Sequence, residues 1–181
     1  MRRGFGRPLQ PGFAGNIPPL LQRANQLFAT GNYSEAASAF EQLARAAEAR
    51  NGPRAPFFYI QSGRARLMAG QTAGALEYLQ RGLGIFAVRG RPGKVFFVGN
   101  RIVNELNQRG LSKEAQQVST YIKSLVPNFD GSLGGTPQVK RPSLPTHCPG
   151  CGAPVRSDEV EWLDDTTAEC AFCGSPVRGE S

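Results

Sequence analysis

The chain has 181 residues, among them 21 Lys or Arg, 14 Asp or Glu and four Cys. That length allows one domain of ordinary size with a small appendage, and no run approaches the eighteen apolar residues of a membrane-spanning helix. The net charge of +7 conceals opposite halves, because residues 1–147 carry 19 Lys+Arg against 7 Asp+Glu while residues 148–181 carry 2 against 7. Overall basicity is therefore no argument for nucleic-acid binding until the half is named.

Residues 1–16 place a twin Arg ahead of no apolar stretch. This is a poor secretory signal and reads as a flexible basic tail. Without export, the thiols are expected to stay reduced, and the protein is expected to be cytoplasmic. Residues 17–127 follow a helical period. Apolar positions in "YSEAASAFEQLARAAEA" and "KEAQQVSTYIKSLV" recur every three or four residues, as a packed amphipathic helix requires. A weak internal repeat runs through this stretch. Gly31, Gly70 and Gly110 open matching phrases, each with Ala five residues later (Ala36, Ala75, Ala115), in steps of 39 and 40 residues. The pattern predicts helix, Gly-containing turn and helix, three times over, broken at "NGPRAP" and "RGRPGK". The second break resembles a phosphate loop only in passing, since Val95 stands where Ser or Thr would bind magnesium. A solvated loop is the default reading of its Arg89, Arg91 and Lys94, which also suit an acidic surface.

The spacing resembles that of tetratricopeptide repeats, although the period exceeds theirs by five or six residues. The resemblance implies that the first helix of each pair lines a groove. Counting back from the glycines then places Asn25, Arg64 and Asn104 at one position, with Asn100, Asn107, Gln108 and Met68 along the same face and Arg101 beside them. Amide side chains both donate and accept, which suits the backbone of an extended peptide. Arg64 and Arg101 suit a carboxylate. A solvated helix face carrying amides is the plainer account of the same residues.

Residues 128–146 are rich in Gly, Pro and Ser and carry no period, the composition of a linker. A flexible coil of that length spans on the order of 25 Å, so the oppositely charged halves have the reach to dock on one another. Residues 147–181 hold all four cysteines, in "CPGCGAPVR" and "CAFCGSPVR". Each C-x-x-C is a two-sulfur grip, the Gly after it suits a turn with positive φ, and the interval between grips matches a four-cysteine zinc site. Iron in a rubredoxin-like site is the alternative. Two strands, "VEWL" and "TAEC", are predicted around a turn near Asp164, Asp165 and Thr166.

This segment resembles a zinc ribbon. The resemblance implies one structural ion, Zn2+, held by Cys148, Cys151, Cys170 and Cys173, with no coordination position left for water or substrate. The fold expected for the whole chain is mainly α, antiparallel helix hairpins followed by a small β ribbon. No catalytic constellation stands out: the one His is isolated and the cysteines are consumed. The expected function is that of a non-enzymatic adaptor, with a groove for a protein or peptide, an acidic one among the candidates, and a ribbon making a second protein contact. The alternative is a nucleic-acid-associated factor, binding through Arg64, Arg66, Arg89, Arg91, Lys94 and Arg101 of the helical part.

Overall fold

The computed structural model describes residues 18–129, 142–157 and 160–179. The basic tail and most of the linker expected from the sequence lie outside the described residues. Six helices come first: α1 (Pro19–Ala29), α2 (Tyr33–Ala49), α3 (Ala55–Met68), α4 (Thr72–Val88), α5 (Pro92–Gln108) and α6 (Ser112–Leu125). The first helix of each pair has a proline in its first two positions, where a missing N–H costs nothing.

Five of the six helix ends follow one rule. At Gly31, Gly70, Gly90 and Gly110, φ lies between 66° and 82°, and Asn51 has φ 51°. After each, the next residue's N–H reaches back to a carbonyl five residues earlier: Asn32 to Leu27, Gly52 to Ala47, Gln71 to Arg66, Arg91 to Phe86 and Leu111 to Leu106, at 2.7–3.0 Å. This is the Schellman stop, which satisfies carbonyls that a helix end would otherwise leave open. Gly31, Gly70 and Gly110 are the glycines of the repeat. The same stop also closes the two connections between pairs.

Each helix packs on its sequence neighbours, and α4 also meets α6. Close approach within the second pair depends on Gly63, where an added Cβ would lie 2.7 Å from Leu79 Cγ. The repeat alanines Ala36, Ala75 and Ala115 are buried. One core cluster joins α4, α5 and α6 to one side of α3 through Phe57, Ile60, Leu79, Leu83, Phe86, Ile102 and Val118. A second joins α1, α2 and the other side of α3, and includes the four cysteines, Ala153 and Val177. Every residue of α3 from Ala55 to Gly63 is buried. A helix without a wet face must be covered on all sides; α2 and α4 cover two, and the C-terminal module covers the third.

That module is a three-stranded antiparallel sheet, β1 (Glu161–Trp162), β2 (Thr167–Glu169) and β3 (Pro176–Arg178), in the order β1-β2-β3. The β1–β2 hairpin falls within the predicted strands, and its turn is held by the Asp164 carboxylate accepting from Thr166 N and Thr167 N at 2.8 and 2.7 Å. The third strand was not predicted. It is the second "PVR", whose Val177 pairs with Ala168. The first "PVR" does the equivalent in miniature: Pro154 bridges His147, and Val155 N donates to Thr146 O at 2.9 Å.

Candidate metal centre and its docking face

The repeated phrase builds two knuckles with the same hydrogen-bond pattern. In the first, Cys148 N donates to Ala153 O (2.8 Å), Gly152 N to Cys148 O (2.8 Å) and Gly150 N to Cys148 Sγ (3.3 Å). In the second, Cys170 N donates to Ser175 O (2.9 Å), Gly174 N to Cys170 O (2.9 Å) and Phe172 N to Cys170 Sγ (3.4 Å). Gly152 and Gly174 share φ 71°. The duplicated sequence is a duplicated hydrogen-bond pattern, which aims two sulfurs from each turn at a common point.

The four sulfurs lie within 4.8 Å of one another, with Cys148–Cys173 and Cys151–Cys170 both at 3.8 Å. A tetrahedral ion with metal–sulfur bonds of about 2.3 Å requires sulfurs about 3.8 Å apart, so the donor set fits. All four cysteines are buried. Their crowding sets the thiols against each other. Hydrogen bonds from Cys148, Cys151 and Cys170 hold the Cys173 thiol well below its ordinary range, while contacts with Cys148, Cys170 and Cys173 push Cys151 up. A divalent cation resolves the conflict by favouring the thiolate at every position. His147 is exposed, bonded to Thr146 Oγ1 and outside the cluster.

The module docks on the face made by the first helices. From α1, Asn25 Nδ2 donates to Cys151 O at 2.5 Å. From α3, the Arg64 guanidinium lies over the Phe172 ring, 6.0 Å from its centroid. From α5, Lys94 Nζ pairs with Glu161 and, at 2.5 Å, with Glu169. Arg91, just before α5, grips the same Glu169 carboxylate with both terminal nitrogens, at 3.0 and 3.4 Å. Two cations thus meet two carboxylates. Lys94 and Glu169 are almost fully enclosed, with side chains 5% and 6% exposed.

Of the residues expected in the groove, Asn25 and Arg64 face the module. Arg64 also gives its Nε to Glu105 at 2.9 Å, which leaves less of its fork for an outside carboxylate. Asn100, Asn104, Asn107 and Gln108 are exposed along α5, whereas Met68 and Arg101 are half-buried. Arg101 lines a narrow crevice between α3, α5 and the module, with Phe97, Glu105 and Ala171. The crevice has a volume of about 20 Å³, room for about one water and far less than a small-molecule site. Most cations expected to form a phosphate-binding face are engaged internally: Arg66 with Glu41, Arg89 with Asn51, Gly52 and Pro53, and Arg91 and Lys94 with the module.

The sequence offered Arg89, Arg91 and Lys94 together to an acidic surface without naming Glu161 and Glu169 as that surface; Arg91 and Lys94 meet those carboxylates, whereas Arg89 turns to Asn51, Gly52 and Pro53. Sequence reasoning also passed over "APFFYI", whose apolar character on every side of the helix is the signal that something covers α3. Among the described residues, no helix is long and apolar enough to cross a membrane. No protein-family model, curated protein or solved structure matches this chain.

Proposed function

We propose that this protein is a non-enzymatic protein-interaction adaptor, a helical-hairpin array whose first-helix face is shared between a zinc-held ribbon and a peptide partner. The ribbon occupies the α1 and α3 portion together with the start of α5. The peptide takes the remainder of α5, where Asn100, Asn104, Asn107 and Gln108 form a row at helical spacing. The observation that carries the reading is the continued exposure of this amide row beside a face that is otherwise covered. Amides on a regular stripe pair with the alternating N–H and C=O groups of an extended chain without demanding a charged sequence. Zinc is assigned a structural role because four buried thiolates complete its tetrahedron and leave no open position for chemistry.

The test is a selection of displayed random peptides against the metal-loaded chain, repeated with an Asn100→Ala, Asn104→Ala, Asn107→Ala variant of unchanged helical signal. The expected outcome is a peptide family enriched on the native chain and bound at least about tenfold more weakly by the variant. Equal enrichment on both proteins would overturn the assignment of the site.

A further inference from the structure

The contact between the module and the helices has the composition of a recognition interface, with the buried aromatic Phe57, one enclosed charge pair, Lys94–Glu169, and a bidentate arginine grip from the half-exposed Arg91. On the helical side it presents Phe57 and Ile60 next to Arg64, Arg91 and Lys94. On the module side it presents Glu161, Glu169, Ala171 and Phe172. Gly174 comes so close to Phe57 that a Cβ there would overlap the ring, which shows how closely the second knuckle is seated. Unlike the helices, the module cannot hold its own shape by apolar burial, since its strands contain only two or three residues each. Short segments of this size rely on the metal to fold.

We infer that the face beneath the module is a second interaction surface, fitted to an acidic protein segment with an aromatic or apolar side chain, and that the bound metal decides its occupant. With metal, the module's own Glu161 and Glu169 fill the cationic positions. Without metal, the knuckles lose their common anchor, the two carboxylates are no longer held at matching positions, and Phe57, Arg91 and Lys94 become available. The face favours a protein segment over nucleic acid because its cations flank a buried phenylalanine instead of forming an open basic stripe. This inference concerns α3 and the start of α5 and does not rest on the amide row.

The experiment uses the full chain, metal-loaded and after chelation under reducing conditions, with a dye-labelled synthetic peptide copying residues 160–169. That peptide carries Glu161, Trp162 and Glu169 and no cysteine. The expected result is a rise in fluorescence anisotropy with the chelated chain and none with the loaded chain. Binding should weaken at least about tenfold in an Arg91→Glu, Lys94→Glu variant and return to baseline when metal is restored to the native chain. Equal binding by both metal states overturns the proposal, as does undiminished binding by the variant. Absence of binding by a chelated chain that keeps its helical circular dichroism also overturns it. Loss of that helical signal on chelation does the same, because the metal would then hold up the whole molecule instead of gating one face. A labelled oligodeoxythymidylate is the comparison probe, and tighter binding of it than of the peptide assigns the surface to nucleic acid. The Asn100→Ala, Asn104→Ala, Asn107→Ala variant should bind the peptide normally, which separates this result from the fate of the amide row.

Discussion

Gly174 combines two constraints that exist separately elsewhere in the chain. Its φ of 71° belongs to the left-handed region, and an added Cβ would also lie 2.9 Å from Phe57 Cδ2 and Cζ. Gly152 holds the equivalent place in the first knuckle with the same φ. Gly174→Ala is therefore expected to destabilise the docked module by roughly 1–3 kcal/mol through backbone strain and overpacking. Thermal denaturation read by the fluorescence of Trp162, the only tryptophan, would measure this. The cysteines are less forgiving. Replacing Cys151 or Cys173 by Ser is expected to remove stoichiometric metal, because each is one of only four sulfurs grouped closely enough to hold an ion. Metal analysis of the purified variants checks it. Acid should act in the same direction, since thiolates must reprotonate to release the ion.

Between elements, the connections matter more than helix propensity. Schellman stops end five of the six helices, with Asn51 taking the position that glycine holds in the other four. Asn51→Gly is expected to be neutral or slightly stabilising and Asn51→Val destabilising by about 1 kcal/mol, as left-handed backbone geometry dictates. Chemical denaturation of the two variants gives the comparison. The second and third helices are also tied by Glu48, which accepts from Tyr59 Oη at 2.5 Å and from Arg81 at 2.9 Å. The hydrogen bond from Tyr59, followed by contacts with Arg81, holds the Glu48 carboxyl below its usual range despite partial desolvation. A lowered folded-state pKa adds stability that is present above the ordinary carboxylate pKa and is lost as the pH falls through the folded value. Glu48→Gln should therefore flatten the acid limb of a stability–pH curve while leaving its slope near neutrality unchanged.

For the molecule as a whole, the decisive interaction is between the oppositely charged halves. Lys94 sits between Glu161 and Glu169 in near-complete burial. Lys94→Met would leave Glu161 without its cation and Glu169 with Arg91 alone, and removing one partner of a buried pair costs up to roughly 3–5 kcal/mol. The expected sign is a lowered midpoint for the transition seen by Trp162, with a smaller change in the helical transition seen by circular dichroism. Because the pair is enclosed, moderate salt should loosen the contact far less than it would an exposed ion pair.

How much of this could be read without coordinates follows from the range of each interaction. Helix stops at Gly31, Gly70 and Gly110, the paired sulfur grips and the Asp164 turn are set by residues within a few places of one another, so local chemistry in the chain determined them. The third strand escaped because three residues, Pro176 to Arg178, carry no period of their own and acquire strand geometry only by pairing with β2. The charge asymmetry of the halves was plain in the sequence, and Arg89, Arg91 and Lys94 stood out as a cationic loop without any sign of which of them would meet an acidic surface. Which carboxylates would answer them, and that Asn25 would cap Cys151 across 126 positions, depended on shape and on burial of α3 from every side. Close packing and desolvated charge pairing between distant segments are properties of the assembled surfaces, and only the tertiary structure decided them.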